Sequence, residues 1–573
     1  MSTSFDQKPV SNILLVAITR LGDLLQASPT IVGMKEQFPG ARLTVLVDRQ
    51  FSAICKGIPG IDELYEVDLS MVVRSLHRDG DGIVDGYEYV HKLVQDLRAK
   101  NFDYCVNMAS AGYTALLLKM IGIERSYGWT ADDEGNRIIS NPWSMLFAAF
   151  VYHSNRHYNS INLVDVIRCS AGVHTHPRHL VYEIPQQFHS FPDKFLAEHG
   201  LSSASGPLVC LQAGASQEKR QWAPVKFARL LQQLVEEHGA RVIMTGAAGE
   251  AAIIEKILSI YNHPNIASAV GKTNLGELAA LLQRADALIT GDTGPMHLAV
   301  AVGTPVIALF LASAYCFETG PYSRGNLIIQ PQISCNPCNP NFSCPRPDCH
   351  DQITPEMVAY LLKLRLATSA EEVASLAIDE TLCPPDQVAV YYSDFDEEGF
   401  LDFRRLNSPA ARLGYHPAYF DAAMDAYRHL WKEEFGMMPV KDVPHVEATN
   451  KLAVIDHRAE GTAGLDEAIN AAVKGVEVSE RLVELIRNVS SPPSLLGEVN
   501  SQINAINRHI EDIGLAYPML GALVRMFVME QQNMQGADPV HLASEMKQIY
   551  ENLRRRGQKF AKLFKYNIEQ NWN

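Results

Sequence analysis

The sequence predicts an α/β fold with two open parallel sheets, followed by an additional C-terminal all-α domain. The sheets are predicted by a recurring order: a short apolar run, a glycine turn, a helix and a second apolar run. This order occurs over residues 12–47 and again over residues 208–245, and it is that of a βαβ unit. The all-α domain is predicted by apolar residues at helical spacing beyond residue 410.

The composition excludes several classes of protein. The chain has 573 residues, 47% of them hydrophobic, and a formal net charge of −15. The apolar share is sufficient for several folded cores. The negative charge argues against a general binder of nucleic acid or of anionic membranes. Because residues 1–10 lack the apolar segment of a secretory signal, we expect a cytoplasmic protein, with peripheral attachment at the inner membrane as a further hypothesis.

The first predicted domain covers residues 1–190. Its first strand, at 12–18, ends at Arg20-Leu21-Gly22-Asp23, and a helix then leads to a second strand at 42–47. A helix at 90–100 precedes another strand at 104–108. In such sheets the ligands bind at the carboxyl ends of the strands.

The second predicted α/β domain covers residues 205–368. Its strands are expected at 208–211, 240–245, 287–290 and 306–310, and its helices at 225–238 and 296–302. Two similar halves in tandem place a ligand cleft between them. A helix at 355–366 is expected to return the chain to the first domain.

The C-terminal part is predicted to contain an acidic irregular linker at 369–410 and an α-helical domain at 411–573. In the latter, an apolar seam runs at spacings of three and four through Leu496, Val499, Ile503, Ile506, Ile510 and Ile513. The seam is either the core of a helical bundle or a surface for oligomers or partners. Basic residues form another helical face, either solvated or in contact with anionic lipid: Arg554, Arg555, Arg556, Lys559, Lys562 and Lys565.

Three turns carry residues suited to chemistry. Asp23 stands where a strand turns into a helix, so its carboxylate can cap that helix or act as a general base, and Gly22 allows a ligand to approach the backbone. The turn at 291–297 points N–H groups and a hydroxyl to one place, as in a phosphate site. The turn at 214–222 (GASQEKRQW) carries two adjacent cations, which suit a diphosphate or form a solvated charged turn.

Together these motifs resemble those of the heptosyltransferase-type glycosyltransferases, family nine of the glycosyltransferases. The resemblance covers residues 12–365. It rests on the R-x-G-D motif followed by Ala27-Ser28-Pro29, the lysine–tryptophan loop, the D-T-G-x-x-H motif and the turn Gly246–Glu250. It implies a GT-B fold of two Rossmann-like domains. The C-terminal domain then binds ADP-heptose, and the N-terminal domain supplies the base and receives the acceptor.

The resemblance also assigns roles by position. Asp23 matches the catalytic base, and Glu250 matches a nucleoside contact. Either Lys219 or Arg220 matches the diphosphate-binding cation, because K-R-Q-W is one residue longer than the usual K-R-W or K-x-W ending. The remaining assignments are backbone turns at Gly22 and Gly214 and a donor-binding turn formed by Asp292, Thr293, Gly294 and His297.

An inverting mechanism follows from these roles. Asp23 takes a proton from an acceptor hydroxyl as that hydroxyl attacks the anomeric carbon. Cations and N–H groups stabilise the leaving diphosphate, so no catalytic cofactor is expected. The expected partners are a nucleotide-sugar donor and a lipopolysaccharide or protein acceptor, with no nucleic acid, and a homo-oligomer through the helical domain is a further hypothesis. His157 and Asn162 are candidates for acceptor contacts.

Four cysteines, Cys335, Cys338, Cys344 and Cys349, lie within 15 residues among several prolines. Thiolates at this spacing suit tetrahedral zinc or iron, and the alternatives are two disulfides or plain thiols. The loop is similar to the four-cysteine iron site of the heptosyltransferases that modify autotransporter proteins. We therefore expect a structural metal, zinc or iron, at this loop.

Two hypotheses from other classes are weaker. A Rossmann-type oxidoreductase would need a G-x-G-x-x-G motif after the first strand, where the chain instead reads Thr19-Arg20-Leu21-Gly22-Asp23. A non-catalytic nucleotide-sugar-binding or assembly protein would not need the intact Asp23.

Overall fold

The computed structural model describes residues 9–77, 80–151, 153–202, 205–409, 417–438, 458–488 and 490–571. Parts of the predicted linker and helical domain, at 410–416 and 439–457, lie outside the described residues.

The strands of the described residues alternate with helices over most of the chain. They are β1 (Asn12–Val16), β2 (Arg42–Asp48), β3 (Glu63–Val67), β4 (Tyr104–Asn107), β5 (Ser126–Ala131), β6 (Arg137–Ile139), β7 (Leu208–Gln212), β8 (Arg241–Thr245), β9 (Ile266–Ser268), β10 (Ala287–Gly291), β11 (Val306–Leu309), β12 (Leu327–Pro331), β13 (Val388–Phe395) and β14 (Leu401–Arg405).

The helices fall into two groups, those between the strands and those after the last strand. The first group is α1 (Leu21–Gln26), α2 (Ser28–Gln37), α3 (Leu69–Leu76), α4 (Gly82–Arg98), α5 (Gly112–Ile121), α6 (Pro142–Val151), α7 (Leu163–Ser170), α8 (Phe191–Glu198), α9 (Pro224–Glu236), α10 (Ala251–Ile260), α11 (Leu275–Arg284), α12 (Gly294–Ala301), α13 (Cys316–Thr319), α14 (Cys349–Gln352) and α15 (Pro355–Leu366). The second group is α16 (Pro417–Glu434), α17 (Arg458–Arg487), α18 (Pro493–Ala516), α19 (Gly521–Gln532) and α20 (Pro539–Asn571).

The chain divides by its contacts into two compact units. The α/β unit contains the described residues within 6–126 and 161–413, and the helical unit contains those within 127–160 and 414–573. Residues 127–160, predicted within the first domain, therefore group with the C-terminal helices. Trp143 of α6 packs against Phe435 with ring centroids 5.0 Å apart, and Asn533 donates a hydrogen bond to the carbonyl of Ile139. These contacts join positions far apart in sequence, so the sequence pattern did not reveal the grouping.

The α/β unit contains two parallel sheets, which confirms the predicted fold class. In the first, β3, β2, β1 and β4 pair in that order and all in parallel. In the second, the order is β14-β13-β12-β11-β10-β7-β8-β9, and the strands from β12 to β9 are parallel. The central strands are buried throughout, as expected when helices cover both faces of a sheet.

The predicted irregular linker at 369–410 is wrong in part, because β13 and β14 lie within it. They form an antiparallel hairpin that extends the second sheet beyond β12. The acidic side chains do not prevent pairing, since Asp394 forms an ion pair with Arg324 at 2.7 Å. Helix α15 also differs from expectation: it packs on the second sheet, where Val358 and Leu361 join the same core as α9, and it does not return to the first domain.

The apolar seam of α18 faces the interior of the helical unit. Its residues Val499, Ile503, Ile506, Ile510 and Ile513 are buried, which agrees with the bundle-core interpretation. Three residues of the basic face of α20 form ion pairs, whereas Lys562 and Lys565 are exposed. Arg555 and Arg556 bind Glu434, and Lys559 lies 2.9 Å from Glu433.

No single helix of the described residues is long and apolar enough to cross a bilayer. Residues 493–516 and 518–532 meet the length and composition requirements only as a pair, and that pair is bent by 117°.

A buried ion pair ties α7 to the β13–β14 hairpin. Asp165 and Arg168 are both fully buried, with 2.7 Å between the carboxylate and Nε. The same carboxylate accepts hydrogen bonds from the Tyr322 hydroxyl and from the backbone N–H of Leu401, each at 2.9 Å. Arg168 also stacks 4.3 Å above the ring of Phe400. The pair therefore links α7 to Tyr322 and to the β13–β14 hairpin of the second sheet.

We predict that Asp165→Ala lowers the free energy of unfolding of the α/β unit by about 3–5 kcal/mol, because it leaves a fully buried guanidinium without its counter-charge. Urea unfolding followed by intrinsic fluorescence measures the change. The control is Lys92→Met, which removes an exposed pair with Asp96 and should leave stability unchanged. If Asp165→Ala changed the free energy of unfolding no more than Lys92→Met does, the structural role of the buried pair would be contradicted.

Candidate functional site

Two short helices meet at the carboxyl ends of the two parallel sheets. Helix α1 follows β1, and helix α12 follows β10. A Cβ atom at Gly22 would lie 3.1 Å from His297, and one at Gly294 would lie 3.0 Å from Leu21. The two glycines, predicted as a backbone turn and a donor-binding residue, thus let α1 and α12 approach closely.

Asp23 lies in the first turn of α1, and its carboxylate faces the α12 side. It accepts a hydrogen bond from the backbone N–H of Arg20 at 3.1 Å, so it does cap its own helix. Burial raises the pKa of Asp23, the N–H and charge of Arg20 oppose the rise, and the charge of Asp292 adds to it. The candidate base is partly buried and lies near enough to Asp292, in the opposite turn, for the two charges to interact. A raised pKa suits a residue that must accept a proton.

The turn that begins α12 holds the predicted donor-binding residues. Asp292 accepts a hydrogen bond from Arg220 at 3.1 Å. Thr293 is the N-cap residue of α12, and its hydroxyl lies 3.0 Å from that of Thr290. Pro295 has no N–H, and the N–H of Met296 donates to the carbonyl of Thr293 at 3.1 Å. Of the first three residues of α12, Gly294 is therefore the one whose N–H could serve an anion.

His297 is buried between the two helices and does not extend into open space. The side-chain amide nitrogen of Gln26 lies 3.0 Å from its Nε2. Burial lowers the pKa of His297 to about 4, which favours the neutral ring near pH 7. Sequence reasoning missed Gln26, although its place one helical turn after Asp23 was a usable signal.

Glu250 lies across the ends of β7 and β8. Its carboxylate accepts hydrogen bonds from the side chain of Gln212 at 3.0 Å and from the backbone N–H of Ala247 at 2.7 Å. A Cβ at Gly214 would lie 1.6 Å from this carboxylate. Gly214 therefore leaves room for Glu250, which is a different role from the predicted backbone turn for a phosphate.

Lys219 and Arg220, between which the sequence did not decide, point in different directions. The ammonium of Lys219 donates to the carbonyls of Asn339, Pro340 and Phe342 at 2.9, 3.1 and 2.7 Å. Arg220 instead turns toward α12, donating from Nε to the Ser313 hydroxyl at 2.9 Å and from Nη1 to Asp292. Arg220 is thus the cation that reaches the donor-binding turn.

The four-cysteine loop, residues 335–349, packs against the segment that carries these cations. His350, directly after the loop, donates from Nε2 to the carbonyl of Lys219 at 2.8 Å. Its own carbonyl accepts hydrogen bonds from the buried indole of Trp222 at 3.3 Å and from Lys226 at 2.5 Å. The loop and residues 219–226 therefore form one hydrogen-bonded assembly.

The four cysteines are free thiols that lie close enough to influence one another. Burial raises the pKa of Cys349 to about 11, and the charges of Cys335, Cys338 and Cys344 add to the rise. Their donor set suits zinc or iron. Among the described ranges, however, no group of three His, Cys, Asp or Glu residues is placed to hold a metal ion. The predicted metal site is not formed in this structure.

The two acceptor candidates lie in different units. Asn162 is the N-cap residue of α7, where its side-chain oxygen accepts from the N–H of Val164 at 3.0 Å. This contact gives Asn162 a structural role in the α/β unit. His157 lies in the helical unit.

Comparison with known proteins gives one family match. The model of glycosyltransferase family 9 (heptosyltransferase) matches residues 90–344. That range includes Arg220, Glu250 and the turn at 291–297, and it does not include Asp23.

Individual relatives agree with this match. The chain is 25% identical to lipopolysaccharide heptosyltransferase 3 of Escherichia coli (strain K12), over 52% of this chain and 81% of that protein. It is also 25% identical to the lipopolysaccharide core heptosyltransferase OpsX of Haemophilus influenzae, over 56% and 84%. A solved family 9 glycosyl transferase from Veillonella parvula gives a TM-score of 0.49 at 19% identity, over 64% of this chain and 99% of that one. The sequence matches confirm the prediction of a glycosyltransferase.

We predict that Asp23→Asn stabilises the protein near neutral pH. An acid whose pKa is raised on folding gives stability that is present below its unfolded pKa, about 3.9, and lost as the pH rises through the folded pKa. Removing the charge should therefore raise the free energy of unfolding by up to about 1 kcal/mol at pH 7. The difference in stability between Asp23→Asn and the wild type should become smaller toward pH 3.5. Thermal unfolding across this range measures it. A gap that widens toward acid pH would disprove the assigned burial of Asp23.

Proposed function

We propose that the protein is an inverting heptosyltransferase, which transfers heptose from an ADP-activated donor to a hydroxyl of lipopolysaccharide. The single observation that carries the proposal is the placement of Asp23 on α1 opposite the Arg220–Asp292 turn of α12. A proton acceptor then faces an anion-binding turn across one cleft. The names of the relatives favour lipopolysaccharide as the acceptor, and a protein hydroxyl is the alternative.

The acceptor hydroxyl would be activated by Asp23. As this oxygen attacks the anomeric carbon, its proton passes to the Asp23 carboxylate, and the bond from carbon to the diphosphate oxygen breaks. A single displacement inverts the anomeric centre. The N–H of Arg20 holds the carboxylate in place. Burial, which raises the pKa of Asp23, strengthens it as a base.

The leaving diphosphate would be stabilised by Arg220 and by the N–H of Gly294 at the start of α12. A guanidinium offers several donors in a fixed plane, which matches phosphate oxygens well. In the absence of nucleotide, Asp292 holds this guanidinium near the turn. Preorganised donors of this kind stabilise the charge that develops in the transition state.

The nucleoside would lie along the ends of β7 and β8, with Glu250 as a contact. Gln212 and Ala247 already orient its carboxylate. A carboxylate so placed accepts hydrogen bonds from ribose hydroxyls, as the resemblance implies. His297 would act indirectly, by keeping α1 and α12 together through Gln26.

We further infer that the protein works in the cytoplasm, in peripheral contact with the inner membrane, and that the helical unit mediates self-association. Light scattering of the purified chain tests self-association, since a monomeric mass would contradict it.

Flotation with anionic vesicles tests membrane contact. Failure to bind the vesicles, with or without acceptor, would count against it.

We predict that Asp23→Asn lowers the rate of heptose transfer by about 10²–10⁴-fold, because the general base is removed. Binding of ADP should be retained, since the nucleotide site lies on the second sheet. Release of ADP from ADP-heptose in the presence of lipopolysaccharide core measures the rate, and calorimetry measures ADP binding.

The matched control for this variant is Asp62→Asn. Asp62 is also a carboxylate of the first sheet region, but it pairs with Lys35 away from α1. The control should retain transfer. Full activity of Asp23→Asn would refute the assigned base, and transfer only to a protein acceptor would replace lipopolysaccharide by the alternative.

We also propose that the four-cysteine loop binds one zinc or iron ion as a structural site. Support comes from the donor set and from the mutual proximity of the thiols. Ion binding would release the thiol protons and draw the four sulfurs together. The bound ion would supply rigidity to the loop, and no chemical step involves it.

We predict about one metal ion per chain in protein purified anaerobically, measured by elemental analysis. The double variant Cys335→Ser, Cys338→Ser should lose the ion. Cys383→Ser, which changes a buried cysteine elsewhere in the same unit, should retain it. Metal-free protein that takes up neither zinc nor iron under reducing conditions would exclude the site.

A further inference from the structure

We propose that Lys219 is a positioning residue: together with the four-cysteine loop it holds Arg220 in place, and it does not itself bind the diphosphate. The inference rests on the proposed function, because it takes Arg220 as the cation that binds the diphosphate of the donor. The inference also gives the four-cysteine loop a role in donor binding, although the loop is far from Arg220 in sequence.

The first argument is the saturation of the Lys219 ammonium. An ammonium group has three N–H donors. Three carbonyls of the loop, those of Asn339, Pro340 and Phe342, lie within 3.1 Å of Nζ. Every donor of Lys219 is therefore used by the loop, and none remains for a phosphate oxygen.

The second argument is that the contact is reciprocal. The carbonyl of Lys219 accepts a hydrogen bond from His350 at 2.8 Å. Further along, Trp222 donates to the carbonyl of the same histidine at 3.3 Å. The backbone before Arg220 and the Trp222 side chain after it are thus attached to His350, next to the loop, which restricts where the guanidinium can reach.

The third argument is that the loop also supports the partner of Arg220. Cys338 and Asn336 donate to the carbonyl of Ala312 at 3.0 and 3.2 Å. Ala312 has a φ of 55°, a left-handed conformation that alanine rarely adopts and that surrounding contacts must maintain. The next residue, Ser313, accepts the Nε–H of Arg220 at 2.9 Å. Both the backbone and the head group of Arg220 are therefore set by the loop.

A double-mutant cycle distinguishes this role from direct binding. The variants are Lys219→Met, Arg220→Met and the pair, in the full-length chain under reducing conditions, with ADP binding measured by calorimetry. If Lys219 acts through Arg220, each single variant weakens ADP binding by about tenfold, and the pair is no weaker than Arg220→Met within about twofold. Adenosine, which lacks the diphosphate, should bind all four proteins equally.

Two results would overturn the inference. One is a multiplicative effect, with the pair weakened by about a hundredfold, which would make Lys219 an independent ligand of the diphosphate. The other is unchanged ADP binding in Lys219→Met. A wild-type protein that does not bind ADP would instead refute the proposed function, so the two failures are separable.

A second arm covers the case in which Lys219→Met does not fold. Ser313→Ala removes the acceptor of the Arg220 Nε–H without changing the charge of the site. It should weaken ADP binding by about threefold and add nothing to Arg220→Met. Arg229→Met, which changes an exposed arginine of helix α9 that pairs with Glu356, is the control and should leave ADP binding unchanged. Additive effects of Ser313→Ala and Arg220→Met would contradict the positioning role.

Discussion

The close approach of α1 to α12 is the constraint on which the site depends. It is possible because Gly22 and Gly294 have no side chains, where a Cβ would be within about 3.1 Å of the opposite helix. The approach buries Gln26 and His297 against each other and brings the charge of Asp292 to bear on Asp23. Burial is the largest cause of the pKa shifts of both Asp23 and His297, upward for the acid and downward for the imidazole.

Much of the α/β fold and the location of the site follow from local signals. Strand, glycine turn and helix succeed one another within a few residues, so β1 with α1 and β10 with α12 were predictable. Since parallel strands place their carboxyl ends at one edge, Asp23 and the turn at 291–297 were expected near the cleft. The helical seam at 496–513 was likewise visible from its spacing.

Other features depend on partners distant in sequence, and no local pattern reports them. The carbonyls that bind Lys219 lie more than 100 residues beyond it. The grouping of residues 127–160 with the helical unit depends on contacts such as that of Trp143 with Phe435. The β13–β14 hairpin was obscured by its acidic residues, which pair with arginines such as Arg324 once the strands are aligned. In each case the sequence shows the residue type, and only the fold supplies the partner.

The choice between Lys219 and Arg220 shows how a buried anchor sets the register of a binding loop. Trp222 is 1% exposed, bonded to the carbonyl of His350 and packed on Phe227, so its position cannot shift with the residues before it. Counting back from this fixed point, the cation of a K-x-W ending falls two residues earlier, at Arg220. The additional residue of K-R-Q-W therefore leaves the cation at the donor-binding turn and adds a second one, Lys219, beyond it. That second charge needs acceptors of its own, and the carbonyls of the cysteine loop provide them.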